Sequence, residues 1–151
     1  MAPMHQDCSE ISLPAMFGSL PALLDWAQAT ALGLGMTGAQ TGRLQLVLEE
    51  LLCNTIKHGY RGESAARVAV AMHRDGGRLR VIYTDAAPPF DPTATIVPPG
   101  AASRALGGGA GLDLIRGLTQ GLGYEYVAGR NRVSLRFDAG TPGVQQKSRA
   151  P

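Results

Sequence analysis

Aromatic residues are scarce: three Phe, one Trp and four Tyr make up 5% of 151 residues. The chain therefore lacks the row of stacking platforms that single-stranded nucleic acid requires. Neither sign of charge dominates, since 14 Lys and Arg against 12 Asp and Glu leave a net +2 and a pI near 8.7. That is too mild a balance to imply a nucleic-acid or membrane-surface partner. No apolar run approaches the roughly 20 residues of a membrane span. The opening MAPMHQDCSE has no basic segment followed by an apolar one, as a secretory signal would. There are two cysteines, Cys8 and Cys53, without metal-ligand spacing; Cys53 falls within a helical pattern and reads as a buried small hydrophobe. These absences leave one globular domain of 44% hydrophobic residues, expected in the cytoplasm, with neither nucleic acid nor membrane as partner.

What is plentiful is glycine, 20 residues gathered mainly at 33–42, 107–111 and 117–123. Such clustering marks loops with special backbone demands.

The most informative stretch is Leu44 to Tyr60, LQLVLEELLCNTIKHGY. Leu44, Val47, Leu48 and Leu51 fall at i, i+3, i+4 and i+7, which predicts a helix with one apolar face. Glu50, Asn54 and His58 stack at intervals of four along another face. A carboxylate can serve as a general base, and an amide oxygen is a hard ligand suited to Mg2+. On this stretch alone the same residues also read as an ordinary solvated face.

Around it, residues 1–9 read as a flexible leader and 139–151 as a flexible tail, bounding a domain at 10–138. A short edge strand is expected at Glu10–Pro14. A helix begins at Ser19-Leu20-Pro21 with Ser19 as N-cap, and the Gly33–Gly35 region ends it. Thr37 or Thr41 caps the key helix, which Gly59 stops after Lys57 or His58. Strands are expected at Ala66–His73 and Arg78–Asp85 around an Asp75-Gly76-Gly77 turn. A second hairpin joins Tyr124–Val127 to Arg132–Phe137 through Gly129-Arg130-Asn131. Between the hairpins, about 25 residues from Ala86 to Gly111 show no apolar period, which suggests a functional loop or lid. Leu112–Leu118 then resumes helical spacing. Helices segregated from hairpins predict an α+β fold, its mostly antiparallel sheet covered on one face.

Three features require a common explanation: the Glu50/Asn54/His58 helix, the strand ending in Asp85-Ala86-Ala87-Pro88-Pro89-Phe90-Asp91-Pro92, and the glycine run Gly107-Gly108-Gly109-Ala110-Gly111-Leu112 opening a helix. A glycine-rich loop at a helix start lets backbone N–H groups approach an anion. No Gly-Lys-Ser/Thr follows, so the run is not a Walker A loop. No strand precedes it, which makes it a poor dinucleotide fingerprint.

In this order and spacing the three features resemble the N, G1 and G2 boxes of the GHKL (histidine-kinase-like) ATPases. Glu50-x-x-x-Asn54, His58-Gly59-Tyr60 and Pro89-Phe90-Asp91-Pro92 look most like the anti-sigma-factor serine/threonine kinases of bacterial partner-switching systems. The resemblance covers about residues 10–138. It implies a Bergerat-type two-layer sandwich, in which about three helices cover one face of a mixed, mostly antiparallel sheet, with an ATP lid. It implies ATP and Mg2+ as cofactors, with Asn54 holding the metal and Glu50 acting as the base toward a serine hydroxyl. Asp85 would select adenine, and Gly107, Gly108, Gly109, Ala110, Gly111 and Leu112 would wrap the phosphates with Arg104 beside them. The implied substrate is a STAS-domain anti-anti-sigma protein, with a sigma factor as competing partner and homodimerisation as a family habit.

Ala87 stands where the family usually has glycine, so its methyl is expected either to meet the adenine or to shift a water. Ala110 is smaller than usual, which implies a looser lid. His58 reads as a helix C-cap or a nucleotide contact, Asp91 and Pro92 as turn formers, and Phe90 as a core residue or part of an adenine slot. Two rival readings are a nucleotide-gated binding module without turnover, and the ATP-binding half of a split histidine kinase.

Overall fold

The computed structural model describes residues 8–92 and 119–138. The chain runs β1 (Cys8–Ala15), a 3-10 turn (Phe17–Ser19), α1 (Leu20–Gly33), α2 (Gly38–Asn54), a π turn (Thr55–Gly59), β2 (Ser64–Asp75), β3 (Arg78–Asp85), β4 (Gly121–Val127) and β5 (Arg130–Asp138). One five-stranded sheet forms in the order β1-β2-β3-β5-β4. Every pairing among the described residues is antiparallel. Strand pairing already starts at Cys8, inside the stretch expected to be a leader. The helix expected over Leu112–Leu118 and the tail from 139 lie outside the described residues, as does most of the expected lid.

Strand alternation dictates which face is covered. Val68, Val70 and Met72 of β2, Leu79, Val81 and Tyr83 of β3, and Val133, Leu135 and Phe137 of β5 are all buried. They share one core cluster with Leu44, Val47, Leu48, Leu51 and Leu52 of α2 and with Leu23, Ala27 and Ala31 of α1. Fully burying each large side chain contributes about 1.5–3 kcal/mol, so this face holds the two layers together. The α2 stripe is the i, i+3, i+4, i+7 pattern expected from the sequence.

Local chemistry sets the element ends. Thr37 caps α2 through a reciprocal pair: its hydroxyl accepts from Gln40 N at 3.1 Å, and Gln40 Oε1 accepts from Thr37 N at 3.3 Å. Thr41, the other candidate, is buried in the first turn and donates to Thr37 O. Ser19 occupies the N-cap position of α1, but its hydroxyl donates to Pro14 O at 2.8 Å and makes no cap bond. It ties the helix start to the end of edge strand β1, where Pro14 is tolerated because an outer strand leaves one row of groups unpaired.

The β2–β3 loop is Gly76-Gly77, as expected, with Gly76 at φ +62. The β4–β5 loop is Ala128-Gly129, with φ of +53 and +76. It falls earlier than expected, because two consecutive left-handed residues match the twist of a tight hairpin. Arg130 and Asn131, expected in the turn, are therefore strand residues. Among the described residues no helix is long and apolar enough to cross a membrane.

Candidate functional site

The site gathers where α2 ends, β3 ends and β5 begins. Asn54 is the last residue of α2, and the next turn widens so that Tyr60 N donates to Thr55 O at 2.9 Å. Such π turns place one residue more per turn and re-aim the side chains that follow. Thr55 thereby faces the sheet. Its hydroxyl lies 2.7 Å from Tyr83 OH and donates to Asp85 Oδ2 at 2.9 Å. Since each hydroxyl has one proton, the order runs from the Tyr83 phenol to Thr55 to the Asp85 carboxylate, with Leu51 O a longer acceptor at 3.3 Å from the phenol. Burial pushes the Tyr83 phenol well above its ordinary range, against the opposing pull of the Thr55 hydrogen bond.

Asp85 is buried at the end of β3, directly opposite Asn131. Its Oδ1 accepts from Ala87 N at 3.1 Å and from Asn131 Nδ2 at 2.8 Å. Oδ2 takes only the Thr55 hydroxyl among these, so acceptor capacity remains on the oxygen of a residue that lines the adjoining cavity. Asn131 has a second task. Its Nδ2 also faces Ala87 O and Pro88 O, each at 3.0 Å, and its Oδ1 accepts from Phe90 N at 2.9 Å and from the Tyr124 hydroxyl. One carboxamide thus pins the whole turn after β3.

The cavity beside Asp85 has Leu51, Asn54 and Thr55 on one side and Asn131 and Val133 on another, with Phe90 and Pro92 also in its wall. Its volume, about 20 Å³, is room for one water. A cavity of this volume does not hold a purine. The His58 ring stacks on Phe90, with centroids 5.7 Å apart and planes at 20°, and holds the Phe90–Pro92 segment in place. His58 lies in the last helical turn, as expected of a C-terminal basic residue, and does not line the cavity, while half-buried Phe90 is a wall residue outside the core cluster.

Asn54 is 7% exposed, and its Nδ2 is buried without a hydrogen-bond partner. An unpaired buried amide costs about 1–3 kcal/mol, which a ligand at that spot would offset. Turning the carboxamide over presents its oxygen instead, the donor type that Mg2+ takes. No group of three or more His, Cys, Asp or Glu positioned for a metal occurs among the described residues. The donor set thus fits a cation held mainly by phosphate and water oxygens, with a single amide from the protein.

Glu50 sits one turn before Asn54 and is half-buried. Ala87 is buried, with its methyl against Gly59, and is not part of the cavity wall. Cys53 is only half-buried; burial and the nearby Glu50 charge raise its thiol, so it is neither a core residue nor a ready thiolate. Arg104, Gly107, Gly108, Gly109, Ala110, Gly111 and Leu112 lie outside the described residues. Thr55, Tyr83 and Asn131 were not singled out from the sequence. For Asn131 the signal was there: a polar residue in phase with Val133, Leu135 and Phe137 on a core-facing strand.

Comparison with known proteins places this fold in a family. The family model for the histidine kinase-like ATPase domain matches residues 13–137, and the chain belongs to that family. Among solved structures it is similar to the crystal structure of the RsbU and RsbW domains of Rv1364c from Mycobacterium tuberculosis, with a TM-score of 0.65 and 17% identity. That alignment covers 89% of this chain and 33% of the other, so this chain spans about a third of that structure's length, and the likeness is one of fold. No curated protein matches the sequence.

Proposed function

We propose that this domain binds ATP with Mg2+ in the cytoplasm and phosphorylates a serine of a STAS-domain antagonist in a partner-switching system, with a sigma factor competing for the kinase. Family membership and an RsbW-containing structural neighbour support this reading. The observation that carries it is the buried Asp85, whose carboxylate is fixed by Thr55, Ala87 and Asn131 at the edge of a cavity. A carboxylate held this way would accept a hydrogen bond from the 6-amino group of adenine, where guanine carries a carbonyl oxygen that cannot donate.

Glu50 lies one turn from Asn54 and would orient and deprotonate the serine hydroxyl. Mg2+ bound beside Asn54 would neutralise triphosphate charge, the main electrostatic need of phosphoryl transfer. The remaining protein contribution is positioning, which α2 supplies by being anchored in the core along its whole length.

The test is calorimetric binding of ATP·Mg2+ to the wild type and to Asp85→Asn, then a transfer assay with Glu50→Ala. Binding in the micromolar range that Asp85→Asn abolishes, with acid-stable phosphate transfer that Glu50→Ala abolishes, is the expected result. Acid-labile transfer would instead indicate phosphohistidine and the split histidine-kinase reading. The cavity of about 20 Å³ favours one second reading, a binding module that sequesters its partner without turnover. Nucleotide binding without phosphate transfer would favour that alternative, and absence of nucleotide binding would overturn the kinase reading.

A further inference from the structure

The sheet face opposite the described helices carries a run of basic side chains in register. Arg80 stands directly opposite Arg136, with His73 on the other side of Arg80 and Gly121 beyond Arg136. Like charges directly opposed across a sheet destabilise the pair, so the fold gains nothing from this arrangement. The acids nearby cancel it only in part, since Asp75 and Asp138 flank Arg78 in the next row and Asp138 reaches Arg136 but not Arg80. Asp138 is shared between Arg78 at 3.8 Å and Arg136 at 3.4 Å, and Glu125 is engaged by Arg132 at 3.5 Å. Arg80 has no ion pair among the described residues. Arg136 is partly engaged, with Nη2 donating to Gln120 O at 3.2 Å and Nε standing 3.4 Å from Asp138, but the buried Nε itself makes no hydrogen bond.

Shape accompanies the charge. Gly121 and Gly123 of β4 contribute no side chain to this face, and their bare backbone helps form a trough of about 180 Å³ with Arg80, Ile82, Ser134 and Arg136. A β-carbon on Gly121 would lie 3.3 Å from Arg136 Cβ and 3.6 Å from its guanidinium carbon, so the arginine lies across the glycine. We propose that this trough docks an acidic segment of a partner protein, with one Asp or Glu carboxylate seated between Arg80 and Arg136. Ser134 supplies a hydroxyl beside that carboxylate, and Ile82 gives the trough an apolar wall suited to the flanking side chains of a peptide. The trough is on the opposite face of the sheet from the Asp85 cavity, and the inference does not depend on nucleotide chemistry.

The experiment uses the full chain and a fluorescein-labelled hexaglutamate probe, followed by fluorescence anisotropy at low salt. Arg80→Gln should weaken binding by about tenfold, while Arg43→Gln, at an exposed position on α2, should change it by less than about twofold. Gly123→Val should weaken binding about as much as Arg80→Gln, because it fills the trough without altering charge. Its β-carbon would meet Ser134 Cβ at an ordinary 3.9 Å. Four results overturn the proposal: no binding to the wild type, equal losses in Arg80→Gln and Arg43→Gln, inorganic phosphate binding more tightly than the peptide, or sedimentation showing that Arg80→Gln only dissociates a dimer. The last would assign the face to a second copy of the chain.

Discussion

The Ala87 methyl occupies the space that a side chain at Gly59 would need: a β-carbon built on Gly59 would stand 2.9 Å from it. The two residues are complementary, a missing methyl on the π turn and an added one after β3. This locks the turn after β3 against the end of the α2 segment.

Gly59→Ala should therefore cost about 1–3 kcal/mol of stability through overpacking. In Gly59→Ala/Ala87→Gly most of that loss should return. Urea unfolding of the two single variants and the double variant gives the coupling directly. Additive losses would mean the two sites do not share this space. Ala87→Gly alone should leave ATP affinity within about threefold, since the methyl packs toward Gly59 and Ala87 does not line the cavity.

Removing the Asn131 carboxamide is expected to be severe. Asn131→Ala deletes the donor to Asp85 Oδ1, Ala87 O and Pro88 O and the acceptor for Phe90 N. A loss of about 2–4 kcal/mol in chemical denaturation is expected, because buried partners are left unpaired. Hydrogen exchange should locate the effect in the 86–92 turn. Unchanged exchange there would contradict the pinning role.

Phe90→Ala tests what keeps the cavity small. Loss of the His58 stack removes about 0.5–1.5 kcal/mol that nucleotide entry must overcome. Calorimetry should then show ATP·Mg2+ binding tighter by a factor of about 2–10. Weaker binding would mean that Phe90 contacts the base directly.

The phenols predict how the protein behaves in alkali. Tyr83 is raised well above 10.0 by burial, and Tyr60 and Tyr124 are raised from the same ordinary value, also chiefly by burial. With folded values above the unfolded one, the native state keeps protons that the unfolded chain releases. The stabilisation is complete below pH 10.0 and falls as pH rises through the folded values. Urea unfolding from about pH 8 to about pH 11 should show this decline. Tyr83→Phe should flatten it, and an unchanged slope would assign the effect to the other two phenols or the Cys53 thiol, which is also raised by burial.

The sequence by itself determined whatever depends on periodicity and short-range chemistry. The α2 stripe from Leu44 to Leu51, the Thr37 cap, the Gly76-Gly77 turn and the alternation through Tyr83 to Asp85 are set within a turn or a strand of each residue. The motif order around Glu50, Asn54 and Asp85 was also legible there and pointed to the family that the chain matches. Tertiary structure alone decided what depends on register and on surfaces meeting across the core. The β4–β5 turn fell at Ala128-Gly129, which moved Asn131 out of the turn and set it opposite Asp85, 46 residues away. The Ala87 methyl met Gly59, and Phe90 joined the cavity wall with the His58 ring stacked on it. A residue's period shows which way its side chain points. Only the pairing of distant segments shows what it meets, because side-chain contacts across a sheet or between layers leave no local trace in the chain.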